Sequence, residues 1–185
     1  MHGHSGGHKH GRKSSREVIN ASFFMEQWGP ATGESVLDLG CGDGHLSIAA
    51  AQQTGPDGVV YAFDVDHEWL TESETAAAEQ GIDNVRWVSG DATRSIPLER
   101  HCVDYVLMSN VLHGFVANNE LTAVMQEVNR VLKPGGRLVV VEFKKAEMDY
   151  GPPVSIRLKP DEVAATLGPF GYAFGHSCMC AVYHH

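Results

Sequence analysis

The segment at residues 36–46 constrains the fold of this chain more than any other. It reads VLDLGCGDGHL: an apolar run around one aspartate, then three glycines at alternate positions. The apolar run predicts a buried strand, and Gly40, Gly42 and Gly44 permit a sharp turn that brings the backbone close to a ligand. A helix beginning at His45 would point its unpaired amide groups into that turn. The segment therefore predicts a strand, a turn and a helix that bind a small molecule with acceptor groups or negative charge.

The glycine spacing distinguishes two classes of ligand. A dinucleotide-binding turn has the pattern GxGxxG, whose third glycine lets the helix pack on the strand. In this chain that third place holds His45, and the glycines alternate behind Asp38 instead. The segment resembles the first motif of the class I S-adenosylmethionine-dependent methyltransferases, which implies that Asp38 orients the amino group of S-adenosylmethionine. The resemblance also implies that the turn passes under the methionine part of this cofactor, with contacts from Gly40, Cys41, Gly42 and Gly44.

The next apolar run, residues 59–63, predicts the second strand and ends at an acidic residue. A Gly-Pro-Asp-Gly turn precedes the run and ends the Ala-rich helix before it. Asp64 closes the run, twenty residues after Gly44. A carboxylate at the carboxyl end of a second parallel strand can chelate a ribose diol. We therefore expect Asp64, with Val65 beside it, to bind the cofactor, and Asp66 to cap the following helix.

The third predicted strand, residues 85–88, leads into Ser-Gly-Asp-Ala. The methyltransferase resemblance implies that this loop lies along the adenine edge of the cofactor. Asp91 would accept a hydrogen bond from the exocyclic amine, with Ala92 beside it. Taken alone, Asp91 would be an ordinary loop carboxylate. Its position in the expected order behind Asp38 and Asp64 is what favours a binding role.

Predicted strands and helices alternate along the rest of the chain. Residues 103–108 predict the fourth strand, and the apolar positions of residues 121–132 recur at the spacing of an amphipathic helix. Lys-Pro-Gly-Gly at 133–136 breaks that helix, and residues 137–143 predict the fifth strand. Such alternation predicts a single-domain, Rossmann-like, doubly wound α/β fold whose mostly parallel sheet carries helices on both faces. The string VNRVLKPGGRL, residues 128–138, is typical of the same methyltransferases.

The two ends of the chain lead to different expectations. Residues 1–14 mix histidines with glycines and basic residues, which predicts a disordered tail and leaves metal binding as a second hypothesis. Residues 15–185 form the predicted domain, which opens with a helix over the mouth of the glycine turn at 15–28. The methyltransferase family closes its sheet with a sixth strand and an antiparallel seventh. Here residues 172–180 predict the sixth, and the seventh is expected to be short or missing.

The segment beyond the fifth strand is less specific. Gly-Pro-Pro at 151–153 and Arg157 resemble a subgroup of small methyltransferases grouped with the ubiquinone and menaquinone biosynthesis enzymes. Glu142, Lys144 and Lys145 end the fifth strand, where they either meet a charged acceptor or form a solvated rim. Cys178 and Cys180 lie two apart on a predicted strand. They either bind a metalloid such as arsenite or pack as small apolar groups, and we favour packing.

The residues after the fourth strand are the candidates for catalysis. The resemblance implies that Asn110 and Val111 line the methionine part of the cofactor and the entrance for the acceptor. They lack the Asn-Pro-Pro-Tyr or Asp-Pro-Pro-Tyr pattern of the enzymes that methylate adenine or glutamine nitrogen. If the acceptor presents a hydroxyl or an acidic carbon, a general base helps by roughly 10² to 10⁴ fold, and His113 is the nearest candidate. A capping or packing role for His113 is an equal alternative.

Composition limits the partners and the location. A formal net charge of −9 opposes binding to a phosphate backbone, so we expect neither DNA nor bulk RNA as substrate. The chain has no apolar stretch of about 18 residues and no signal-peptide pattern, which predicts a cytoplasmic protein without a membrane anchor. An uncovered sheet edge would favour a homodimer.

The sequence therefore predicts an enzyme that transfers a methyl group from S-adenosylmethionine to a small-molecule acceptor, with no bound metal. A non-catalytic, cofactor-binding or metal-responsive module is the alternative, because no clear base is evident and the N-terminus is rich in histidine.

Overall fold

The computed structural model describes Arg16, residues 19–177 and residues 181–184, and strands and helices alternate through them. The strands are β1 (Ser35–Leu39), β2 (Val59–Asp64), β3 (Val85–Ser89), β4 (Val103–Ser109), β5 (Leu132–Val141), β6 (Ala173–Ser177) and β7 (Ala181–His184). The helices are α1 (Ala21–Trp28), α2 (His45–Thr54), α3 (His67–Glu79), α4 (Leu112–Ala117), α5 (Leu121–Val131) and α6 (Pro160–Leu167). The expectations for the histidine-rich tail and for Cys178 and Cys180 fall outside the described residues.

The described strands form one sheet in the order β3-β2-β1-β4-β5-β7-β6. Strands β1 to β5 pair in parallel, and β7 runs antiparallel to both of its neighbours. This topology confirms the predicted doubly wound, mostly parallel α/β fold in a single domain. The order reverses at β1 and β4, so the loops that follow these two strands border a crevice at the carboxyl edge of the sheet. That crevice is where ligands bind in folds of this type.

The seventh strand is present, and it is four residues long. It inserts between β5 and β6, pairing with β5 from Arg137↔His184 to Val140↔Ala181. The expectation of a short final strand is therefore confirmed. Because β7 covers β5, the outer strand at this side of the sheet is β6.

Each face of the sheet carries its own apolar cluster. Side chains of α1, α2 and α3 pack on one face, with Phe24, Leu46 and Leu70 buried among them. Side chains of α4, α5 and α6 pack on the other, with Met125 and Val163 at its centre. Burying one such side chain stabilises the fold by about 1.5 to 3 kcal/mol. None of the helices in the described part of the chain is long and apolar enough to cross a membrane.

Helix α1 begins at Ala21, later than its apolar spacing predicts. Asn20 has extended backbone angles and its side chain accepts a hydrogen bond from the amide of Phe23 at 3.0 Å. Asparagine is a preferred N-cap, and this cap overrides the weak periodicity before it. The buried Phe24 of α1 shares a cluster with Cys41 of the glycine turn, so the helix packs beside that turn.

Two further differences from the sequence prediction lie around β4 and β5. Helix α4 was not predicted, because it spans only six residues. Strand β5 begins at Leu132, so the predicted break at 133–136 lies inside it. The pairing with β4 shifts there, from Val103↔Leu132 to Tyr105↔Arg137, which accommodates the Pro-Gly-Gly residues as a bulge.

Candidate functional site

The turn after β1 requires glycine for two separate reasons. Gly40, Gly42 and Gly44 have φ angles of +75°, +53° and +66°, a region that other L-residues rarely adopt. Space is also restricted: a Cβ atom at Gly40 would lie 2.5 Å from Cγ1 of Val111, and one at Gly44 would lie 2.7 Å from the ring of Trp87. The three alternate glycines therefore set both the path of the turn and how closely its neighbours approach.

The end of β2 holds the turn in place. The amides of Gly40 and Cys41 donate to the carbonyl of Phe63 at 2.8 and 3.1 Å. The amide of Gly42 donates to Oδ2 of Asp64 at 2.8 Å, and the other oxygen of Asp64 accepts from the amide of Asp66 at 2.9 Å. A carboxylate has about four acceptor positions, so Asp64 retains capacity for two hydroxyl donors such as those of a ribose.

Asp38 is buried at the end of β1, and Oγ of Ser47 donates to its Oδ2 at 2.6 Å. Burial raises the pKa of Asp38 to about 6, although the bond from Ser47 and the nearby His45 act in the opposite direction. A buried carboxylate of this kind is stabilised by a cationic partner. The arrangement therefore suits a ligand that brings an ammonium group to Asp38.

Asp43 of the glycine turn forms a second polar group with His45, the first residue of α2, and with Arg16. Nδ1 of His45 lies 3.0 Å from Oδ1 of Asp43, whose other oxygen lies 3.4 Å from Nε of Arg16. Burial raises the pKa of the neighbouring Cys41 thiol, so this side chain stays protonated and acts as a small apolar group.

Among the side chains that the structure describes, two buried polar atoms have no hydrogen-bond partner: Nε2 of His45 and Oγ of Ser109. His45 begins α2 directly after the glycine turn, and Ser109 ends β4, so both lie at the crevice. A buried polar atom without a partner destabilises a protein by about 1 to 3 kcal/mol. A polar ligand in the crevice could supply these partners, and this fits an amino acid group such as the methionine part of S-adenosylmethionine.

The loop after β3 joins the same edge of the sheet, because the amide of Gly90 donates to the carbonyl of Asp64 at 3.0 Å. Oδ1 of Asp91 accepts from the side chain and the amide of Thr93, and these bonds lower the pKa of Asp91. Ala92 is 5% exposed and packs into the core, so only its backbone can meet a ligand. Val65 is 71% exposed and offers an apolar surface beside Asp64.

The loop after β4 packs directly on the glycine turn. Asn110 has a φ of +59° and donates its amide to the carbonyl of Val141 at 2.8 Å. Val111 follows and places its side chain against Gly40. The structure therefore brings together the turn, Asp64 and the Asn110–Val111 pair, with Asp91 on the adjoining loop.

His113 is buried at the start of α4, as the packing alternative for this residue predicted. Its Nδ1 lies 2.7 Å from Oε2 of Glu142, and its backbone amide donates to Oε1 of the same carboxylate at 2.9 Å. The two side chains are 2% and 7% exposed. Glu142 follows β5, so this pair joins the loops after β4 and β5. The pattern of residues gave no direct signal for the pairing, because the partners are 29 positions apart.

The loop after β5 is organised around Arg157, which is 2% exposed. Its guanidinium lies 5.7 Å from the centre of the Phe143 ring. It donates at 2.6 to 3.0 Å to the backbone carbonyls of Lys144, Ala146, Tyr150 and Pro152. A second link is the ion pair between Lys145 and Glu162 of α6, so Lys145 contacts the protein itself. These contacts therefore hold the loop in one defined conformation beside the crevice.

Comparison with known proteins agrees with this geometry. The family described as "methyltransferase domain" matches residues 30–169. A demethylmenaquinone methyltransferase of Anoxybacillus flavithermus is 34% identical over 129 residues, which is 69% of this chain and 52% of that protein. The corresponding protein of Lactococcus lactis is 32% identical over 64% of this chain and 45% of its own length. The chain thus spans about half the length of these curated relatives.

Solved structures give the same result over a greater share of the chain. A SAM-dependent methyltransferase from Aquifex aeolicus superposes with a TM-score of 0.81 at 28% identity, covering 94% of this chain and 93% of that one. The [4+2]-cyclase SpnF superposes with a TM-score of 0.68 at 23% identity, covering 84% of this chain and 57% of that one, a likeness that shows the fold alone. Because the matched domain includes every strand from β1 to β5, this chain belongs to the class I S-adenosylmethionine-dependent methyltransferases.

Proposed function

We propose that this protein binds S-adenosylmethionine in the crevice between β1 and β4 and transfers its methyl group to a small-molecule acceptor. One observation carries the proposal: the Asp64 carboxylate holds the glycine turn through Gly42 and still has room for the ribose hydroxyls. The buried Asp38 would bind the amino group. Val65 would pack against the adenine, and Asp91 and the backbone of Ala92 would lie along its edge.

The remaining site residues would shape the space around the reacting group. The turn residues Gly40, Cys41, Gly42 and Gly44 would pass under the methionine part. Asn110 and Val111 would separate this part from the acceptor entrance. When bound, the cofactor supplies a methyl carbon on a positively charged sulfur, open to displacement by a nucleophile. Orientation of the two reactants can supply effective molarities of about 10⁵ M or more, so positioning is the main task of these residues.

For the acceptor, we propose an aromatic hydroxyl compound of the quinol class. The support is that two relatives of 32 and 34% identity are demethylmenaquinone methyltransferases, while this chain spans about half their length. A quinol has hydroxyl protons, so a general base can assist the transfer by removing one of them. We propose His113 as that base, since it joins the loops after β4 and β5. A purely structural role, as a buried link to Glu142, is the alternative. His113→Gln should lower the rate of methylation by roughly 10² to 10⁴ fold if His113 is the base, and an unchanged rate would leave it as a structural link.

Cofactor binding is tested by calorimetric titration with S-adenosylhomocysteine and with 5′-methylthioadenosine, which lacks the amino acid group. Asp64→Asn should weaken both ligands by roughly 10 to 100 fold, since a bond to a charged acceptor contributes about 1.5 to 3 kcal/mol. Asp38→Asn should weaken only S-adenosylhomocysteine. Asp57→Asn is the control, because Asp57 is exposed on the turn before β2, at the opposite edge of the sheet. Equal losses for Asp38→Asn with both ligands would contradict the assignment.

Transfer is tested by incubating the protein with S-adenosylmethionine and reduced naphthoquinones, phenols, thiols or arsenite, and measuring S-adenosylhomocysteine by mass spectrometry. The quinols should be methylated fastest. Tight cofactor binding without turnover on any acceptor would favour a non-catalytic binding module instead. The likeness to a cyclase makes this control necessary, because the fold alone does not fix the reaction.

A further inference from the structure

Tyr150, in the loop after β5, is exposed at a point where the chain is firmly held. It keeps 44% of its surface exposed. The guanidinium of the buried Arg157 donates to the carbonyl of Tyr150 at 2.9 Å. The ring of Tyr150 also meets the ring of Phe143 edge to face, with the ring centres 6.0 Å apart. A large aromatic side chain is thus fixed in place without being buried.

The next residue, Gly151, adds a further restraint on this aromatic pair. Its φ is +88°, which favours glycine, and a Cβ atom there would lie 2.8 Å from Cδ1 of Phe143. The chain therefore passes directly over the Phe143 ring. The guanidinium of Arg157 lies 5.7 Å from the centre of the same ring. Phe143 is thus enclosed by a cation, a backbone segment and the Tyr150 ring, which restricts how Tyr150 can turn.

The aromatic pair lies at the carboxyl edge of the sheet, next to the proposed acceptor entrance. Phe143 is the second residue after β5 and directly follows Glu142, which contacts His113 of α4. The 3₁₀ turn Val154–Ile156 of the same loop lies against α4. Ligands of doubly wound folds bind outside the carboxyl ends of the strands. The exposed Tyr150 ring is therefore on the side of the sheet where an acceptor would enter.

We propose that Tyr150 selects an aromatic acceptor: its ring packs against the ring of the acceptor while the acceptor hydroxyl faces the cofactor. This inference rests on the proposed function and adds to it the residue that recognises the acceptor ring. Two aromatic rings attract each other in offset-stacked or edge-to-face pairs, beyond the effect of the area they bury. A rigid aromatic side chain also loses little conformational entropy when it binds. The held Tyr150 ring therefore favours a flat aromatic acceptor over an aliphatic one of similar size.

Two substitutions separate the ring of Tyr150 from its bulk. Tyr150→Phe keeps the ring, and Tyr150→Leu keeps an apolar side chain without a ring. Neither removes the backbone carbonyl to which Arg157 donates, so the loop keeps that bond. Phe174→Leu is the matched control. Phe174 is 47% exposed and lies on β6, which β7 separates from β5.

The first measurement needs no methyl transfer. Calorimetry of the full chain saturated with S-adenosylhomocysteine compares 2-naphthol with decahydro-2-naphthol, which has the same skeleton without aromatic rings. The wild-type chain, Tyr150→Phe and Phe174→Leu should prefer 2-naphthol by roughly 3 to 10 fold, the range of a favourable pair of rings. Tyr150→Leu should lose this preference. A loosened loop would weaken both ligands alike, so a preference that survives in Tyr150→Leu would overturn the inference, as would a wild-type chain that does not bind 2-naphthol.

The second measurement is the rate of methylation of a reduced naphthoquinone at varied acceptor concentration. Tyr150→Leu should raise KM for this acceptor by roughly 3 to 10 fold, with KM for S-adenosylmethionine unchanged. Tyr150→Phe and Phe174→Leu should keep the wild-type values. An unchanged acceptor KM in Tyr150→Leu would overturn the inference. Failure of the wild-type chain to bind S-adenosylhomocysteine would instead refute the proposed function.

Discussion

Replacement of Gly44 by alanine tests how the first motif is built. At this position two separate penalties add. An L-residue at φ +66° has the left-handed conformation, which destabilises it by about 1 to 2 kcal/mol. The added Cβ would also lie 2.7 Å from the Trp87 ring and 2.8 Å from Cβ of Ser73, and overpacking of this kind destabilises a core by about 1 to 3 kcal/mol. We expect Gly44→Ala to lower the free energy of unfolding by about 2 to 5 kcal/mol in total.

Gly81→Ala isolates the first penalty. Gly81 has a φ of +70°, close to that of Gly44, and a Cβ there would meet no atom within 4 Å. This variant should therefore lose only about 1 to 2 kcal/mol. For a chain of this length each kcal/mol lowers the melting temperature by about 2 to 4 °C, so the two variants should be clearly resolved.

Urea unfolding of the cofactor-free proteins, followed by tryptophan fluorescence, provides the measurement. The denaturant dependence should be the same for both variants and the wild-type chain, so that the midpoints report stability alone. If Gly44→Ala and Gly81→Ala lose the same free energy within about 0.5 kcal/mol, the packing of Trp87 and Ser73 against the turn does not restrict this position, and the reasoning fails.

Three further perturbations test other parts of the structure. The pKa of Asp38 is raised to about 6 in the folded chain against 3.8 for the free side chain, so the folded chain favours the protonated carboxyl. The stability that this gives is present below about pH 4 and is lost as the pH rises through 6. Asp38→Asn should therefore be more stable than the wild type at pH 7.5, by about 3 kcal/mol, and no more stable at pH 4 in urea unfolding. Arg130→Gln removes bonds of 2.6 and 2.7 Å to the carbonyls of Ile96 and Leu98 and should lower the free energy of unfolding by about 1 to 3 kcal/mol, measured in the same way. Arg157→Met removes the donor to four backbone carbonyls and should speed chymotrypsin cleavage within residues 144–153 without changing the affinity for S-adenosylhomocysteine; an unchanged cleavage rate would contradict the loop assignment.

The sequence was sufficient for features that depend on local chemistry. The glycine turn, the cap of α3 by Asp66 and the succession of strands β1 to β5 along the chain follow from residue types and spacing, and the structure has all three. Helix α4 was not predicted because six residues are too few to show a helical spacing of apolar positions. The start of α1 was predicted too early because the Asn20 cap outweighs a marginal apolar spacing.

The contacts within the candidate site were harder to predict because they join distant segments. Ser47 reaches Asp38 only because α2 packs on the face of the sheet toward which Asp38 points. Glu142 was expected to meet a charged acceptor or to form a solvated rim, yet its carboxylate is turned inward to His113. Arg157 resembles a residue of one methyltransferase subgroup. Its role in donating to four backbone carbonyls depends on the path of the whole loop. Such roles require the register of strands and helices, which residue types do not supply.

A continuous set of contacts links the proposed acceptor side of the crevice to the proposed cofactor side. Glu142 caps α4 through His113, α4 begins next to Val111, and Val111 packs against Gly40 of the turn. Glu142→Ala removes this cap, so the loop carrying Val111 should loosen. The affinity for S-adenosylhomocysteine should then fall severalfold in a calorimetric titration, even though Glu142 lies on the proposed acceptor side. Unchanged affinity in Glu142→Ala would mean that Val111 is held by its own packing, and that the two halves of the crevice are independent.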